Sequence, residues 1–186
     1  MKIDRYIITT IFKTSIEYIF ILSLGILLIF LDEIEFAGLE IKYLILILAC
    51  FKSCYFFIKG FRRISEFSGL DLKYYEFLVF IAFNISVIVL SFGFDYLCIY
   101  KTDLSSFSGI PRDLGYSSLF FKFVYFSLMI FTNIGIIKIV PESTEAEILV
   151  IFEAILSFIT IIFILSDFIS LKESLTSSSY KKEDDT

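Results

Sequence analysis

The residues of this chain that could do chemistry are few, and their surroundings restrict what they can do. There is no histidine, which removes imidazole ligands, histidine-activated nucleophiles and the usual proton switch near neutrality. Cys50, Cys54 and Cys98 form neither a CxxC pair nor a zinc framework; the first two share one face of an apolar run, where cysteine packs as a small hydrophobe. With no metal cluster and no paired catalytic motif, neither enzyme activity nor a cofactor is expected. What remains is charge set among apolar residues. Glu17, Lys52 and Glu153 lie inside apolar runs, and Thr132, Asn133, Gly135 and Lys138 interrupt another. An ionisable side chain in such a run is costly in lipid, so each needs a partner or a task. Antiparallel spans bring Glu17 and Lys52 to similar depths, which predicts a salt bridge between them; the alternative for Lys52 is snorkelling to the inner surface. Asp167, near the inner end of its run, is expected to meet cytoplasmic water. No run carries arginine at every third position, so no voltage sensor is expected.

These residues need elements to hold them, and the composition says of what kind. Of 186 residues 58% are hydrophobic and mean hydropathy is +0.86, above the roughly 45–50% apolar share of soluble domains. An integral membrane protein follows, in the plasma membrane or a bacterial inner membrane. The net charge of -5 is spread over loops and tail and argues for neither nucleic-acid binding nor a basic membrane-surface patch. Lys2, Arg5 and Lys13 beside Ile3, Ile7, Ile8, Ile11 and Phe12 make an interfacial helical pattern. Four long apolar runs follow, at 15–31, 41–58, about 75–97 and about 147–171, each read as a span. The first could be a removed signal peptide, but it is long for one and no A-x-A-like site precedes LDEIEF. Lys59, Arg62 and Arg63 mark the inside after the second run, while Asp32, Glu33, Glu35, Glu40 and the acidic PESTEAE loop mark the outside. Both termini are then cytoplasmic. The stretch 119–140 is also long enough to span, but its polar interruptions leave an apolar helix of about 14 residues from Ser118, a length suited to a re-entrant segment.

Read residue by residue, YFSLMIFTNIGIIKIVP from Tyr125 to Pro141 resembles the pore region of tetrameric potassium channels. In that family a short helix ending in YFS runs into a TVGYG filter, an acid, a hydrophobic pair and proline. The spacing matches without a gap: Thr132 precedes the filter, Asn133, Ile134, Gly135, Ile136 and Ile137 occupy its five positions, and Lys138 stands where the acid would be. Only Gly135 is identical among the five, with Ile134 close to valine. FEAIL from Phe152 to Leu156 matches the inner-helix pattern, and Ser157 falls where a hinge glycine is common. The resemblance implies an all-α membrane protein with four transmembrane helices and a re-entrant pore helix and filter loop before the last. Its expected parts are an accessory hairpin and connector over 1–73, a pore module over 74–171 and a disordered cytoplasmic tail over 172–186.

The departures from the family pattern limit what the resemblance implies. Filter carbonyls replace an ion's hydration shell, and glycines let them point inward. Ile137 takes the second glycine's place, and a left-handed conformation there costs about 1–2 kcal/mol per residue. Two outcomes stay open: a shortened, weakly selective filter using Thr132, Asn133 and the carbonyls before Gly135, or a collapsed loop. Lys138 would place ammonium groups at the outer mouth, where Glu142, Glu145 and Glu147 either outnumber it or pair with it, pairing being favoured. The resemblance also implies that Glu153 packs behind the pore helix, either in a functional role or hydrogen-bonded to that helix or the filter backbone. The expected assembly is a homotetramer in lipid passing a monovalent cation, K+ or Na+, since one loop supplies a quarter of a filter. The other expectation is a non-conducting scaffold or regulatory subunit that keeps the fold.

Overall fold

The computed structural model describes residue 16 and residues 41–68, 74–111, 113–135 and 138–183. Among these the chain is mostly helical, with four helices: α1 Ile41–Ser68, α2 Tyr74–Thr102, α3 Tyr116–Phe131 and α4 Thr144–Glu183. Two short strands, β1 Phe107–Ser108 and β2 Val140–Pro141, pair antiparallel with Phe107 opposite Pro141 and Ser108 opposite Val140. The expected spans at about 75–97 and 147–171 fall on α2 and α4, whose segments Ile81–Thr102 and Thr144–Ser166 are long and apolar enough to cross a membrane. The run at 41–58 is helical as part of α1. Apart from Ile16, the first run, with Glu17 and the acidic residues 32–40, lies outside the described residues.

Helix boundaries follow from caps as much as from apolarity. Ser143 accepts a hydrogen bond from the Ala146 backbone N–H at 3.2 Å and so caps the start of α4, and Glu145 and Glu147 in its first turn suit the positive end of the helix dipole. This moves the start outward from the purely apolar boundary near Glu147. At the other end, residues 172–183 of the expected unstructured tail are helical, since α4 runs to Glu183. No glycine or proline follows Pro141, so nothing in the backbone chemistry stops the helix in the serine-rich stretch.

The core gathers around the C-terminal half of α2, against α3. The rings of Tyr96 and Phe126 lie 5.0 Å apart edge to face, and Phe107 meets Phe123 at 5.2 Å, within the range in which aromatic pairs add to simple burial. Close approach of α2 and α3 depends on Gly93, where an added Cβ would come within 2.9 Å of the Val124 backbone. Gly93→Val is accordingly expected to force these helices apart and lower stability by about 1–3 kcal/mol, measured as a fall in melting temperature of the purified protein; an unchanged value would show that the contact relaxes freely.

The remaining face of α4 is not covered by the described residues. Ile148, Ile151, Ile155, Phe158, Ile162 and Leu165 are all exposed, alternating three and four residues apart along one stripe. A core helix of a soluble protein would bury such a stripe.

Candidate functional site

The interrupted stretch begins at the end of α3, and the way that helix stops determines where the next residues go. Thr132 is its C-cap with φ -83 and ψ -3, and Asn133 follows in the left-handed region with φ 55. The Asn133 N–H donates to the Ile130 carbonyl at 3.0 Å and the Ile134 N–H to the Met129 carbonyl at 3.2 Å. This is the Schellman arrangement, in which a left-handed residue turns the chain back and satisfies the last carbonyls. The Thr132 hydroxyl adds a bond to the Leu128 carbonyl at 2.7 Å. Asparagine after an apolar run is a helix-stop signal in its own right. Gly135 takes a second positive φ, 72, and Thr132, Asn133, Ile134 and Gly135 are all exposed. Ile136 and Ile137 lie outside the described residues.

Behind α3 the structure brings together residues from three helices. Glu153 of α4 is fully buried; it accepts a 2.6 Å hydrogen bond from the Tyr96 hydroxyl of α2 and another from the Ser127 hydroxyl of α3. Ser127 is the serine of the YFS run. The expected hydrogen bond between Glu153 and the short helix is therefore present, made through a side chain. Buried polar groups are stable only when paired, and here each hydroxyl finds a carboxyl oxygen. Ser157, also fully buried, donates to the Glu153 carbonyl at 2.7 Å.

Lys52 has a partner that the sequence reading did not name. Its ammonium donates to both carboxyl oxygens of Asp95 on α2, at 2.6 and 2.7 Å, and lies 3.5 Å from the Ser91 carbonyl. Both side chains are buried, at 4% and 8% exposure, so Lys52 is not snorkelling to a surface. A lone acid within FGFDYLC was the available signal for Asp95, because a buried acid in an apolar helix requires a cation or donors.

Beside the paired strands, Glu142 accepts a hydrogen bond from the Ser108 hydroxyl at 2.6 Å, and its backbone N–H donates to the Ser106 carbonyl at 2.8 Å. Lys138 is exposed, and among the described residues it forms no ion pair. The favoured pairing of Lys138 with Glu142, Glu145 or Glu147 is thus corrected for the single chain: Glu142 is directed to β1, Glu145 is buried and Glu147 exposed on the first turn of α4. The side chain of Asp167 lies outside the described residues. Among the described residues no cluster of His, Cys, Asp and Glu could hold a metal.

No protein-family model, curated protein or solved structure matches the chain.

Proposed function

We propose that this chain is an integral membrane protein and the subunit of a tetrameric, weakly selective cation pore, with α3 as its re-entrant helix and 132–138 as its narrow loop. One observation carries the reading. β1 immediately precedes the approach to α3 and β2 immediately follows the loop, and the two strands are paired, so the chain between them leaves and returns to one place. An apolar helix of 16 residues on such an excursion suits a segment that enters a bilayer and comes back, since irregular backbone at that depth needs protein or a water-filled cavity around it. The exposed α4 stripe supports assembly, because the described residues leave that face for lipid or for other copies. The polar groups of the loop face outward from the subunit, where a ring of copies would bring them together.

A non-conducting scaffold is favoured by a different observation. Asn133 and Ile134 spend their N–H groups on capping α3, a use that requires no ion.

Two measurements on purified protein test the proposal. Native mass in nanodiscs is expected to give a tetramer, and a monomer or dimer as sole species would end the pore reading. Reconstituted protein is expected to pass potassium and sodium with a bi-ionic reversal potential near zero. Tetramers without flux would leave the scaffold; anion selectivity would mean that Lys138 dominates the mouth.

A further inference from the structure

Lys52 and Glu153 belong to one connected set of contacts, and the connection runs through two neighbours on α2. Asp95 holds Lys52 of α1, while Tyr96, the next residue, donates to Glu153 of α4, which accepts also from Ser127 of α3. Successive helical residues point about 100° apart, so one ion pair and one hydrogen bond fix the rotation of α2 from two sides. A rotation or slide of α2 that opens the first misdirects the second. Ser127 immediately precedes Leu128 to Phe131, the turn whose carbonyls hold Thr132, Asn133 and Ile134 in their reversing cap. α1 packs on α2 and α4 through Ile45 and Ala49, and a small cavity remains among the three helices, lined by Ser53, Phe57, Ile88, Phe92 and Thr160. A buried ion pair adds little net stability compared with apolar packing, and its best-attested use is to select one register among several.

We infer that α1 regulates the loop after α3, with the Lys52–Asp95 pair as the tie through which its position is transmitted, by way of Tyr96, Glu153 and Ser127. The inference rests on the pore reading only for what the loop does; the coupling itself is independent of conduction. Anything that moves α1 relative to α2, such as a change in the lateral pressure of the surrounding lipid, acts on the loop by this route.

The test uses the full chain in liposomes, with Cys50, Cys54 and Cys98 replaced by alanine and Ile134→Cys introduced as a reporter at an exposed loop position. The rate of its modification by a charged, membrane-impermeant thiosulfonate is the readout. Lys52→Met and Asp95→Leu are each expected to change that rate by at least about fivefold. The charge-swapped pair, Lys52→Asp with Asp95→Lys, is expected to bring it back within about twofold of the parent. Parent-like rates in both single variants, or a swap as altered as the singles, overturn the inference. Where the single variants do not fold, Lys52→Arg carries the test, because it keeps the charge and alters its reach; a shifted rate supports the coupling and an unshifted one overturns it. Flux in the same liposomes separates this from the pore reading. Altered labelling with no flux in any variant upholds the coupling and removes the pore, whereas flux and labelling both indifferent to the pair uphold the pore and remove the coupling.

Discussion

Glu153→Leu is expected to destabilise the folded chain by about 2–4 kcal/mol, because it leaves the Tyr96 and Ser127 hydroxyls buried without their acceptor. Leucine fills much of the volume, so the loss comes from orphaned donors and not from a cavity. Burying a carboxyl group has a desolvation cost of its own, which an apolar replacement removes, but two orphaned hydroxyls outweigh that gain. The decisive comparison is the triple variant Glu153→Leu, Tyr96→Phe, Ser127→Ala, which removes both donors together with the acceptor. It is expected to recover most of the lost stability, because two unsatisfied groups have been deleted. Thermal melts of the three proteins in one detergent measure this. A Glu153→Leu melt equal to that of the parent would show that the two hydrogen bonds contribute nothing, and a triple variant no better than the single would place the cost in packing.

The second large effect is expected at Gly109. Its φ is +80, and a Cβ there would lie 2.0 Å from the Lys138 carbonyl oxygen. Valine faces two separate penalties: a left-handed backbone costing about 1–2 kcal/mol, and a clash with main chain that cannot step aside as a flexible side chain would. Gly109→Val is expected to part β1 from β2, with a total loss of about 3 kcal/mol or more. Hydrogen exchange should rise at 107–109 and 138–141 while the amides of α2 keep their protection. Gly115 supplies the control: it has φ -64 and nothing within 4 Å of an added Cβ, so Gly115→Ala is expected to be neutral. If both substitutions behave alike, the tight approach at Gly109 has no energetic weight.

Different parts of this arrangement were legible in the sequence to different degrees, for physical reasons. The end of α3 at Phe131 could be read because an apolar run stops against Thr132 and Asn133, a combination with local meaning. Glu153 stood out because an acid in an apolar run must find donors, and its contact with the short helix followed from the resemblance. The partner of Lys52 was not legible. Asp95 lies 43 residues away, and the expected end of its span at Leu97 placed it beside the connector, where an acid needs no cation; α2 in fact continues to Thr102 and carries it inward. The β1–β2 pair had no signal at all, since two residues cannot display a period of two. The tail was misread for the opposite reason. Its polar composition suggested disorder, whereas the absence of any residue that breaks a helix lets α4 continue.

The hydroxyls on the inner face of α4 bear on how that helix bends. Ser157 donates to the Glu153 carbonyl and Thr160 to the Leu156 carbonyl, each at 2.7 Å, and both carbonyls also lie in the helical ladder. Side-chain bonding of this kind competes with the backbone amide for one oxygen, which loosens the ladder and tends to curve a helix. An oxygen with two donors can release one without becoming an orphan, even where no water can replace it, although the released amide N–H loses its acceptor. Flexure between Glu153 and Thr160 therefore leaves these two carbonyls satisfied, and the penalty for opening the helix in an apolar medium falls on the amide side of each opened bond. The compliance arises from serine and threonine in a segment without glycine or proline, and it is located beside the carboxyl group that holds Tyr96 and Ser127. A bend there would swing the distal part of α4 while leaving its first turns fixed to the paired strands.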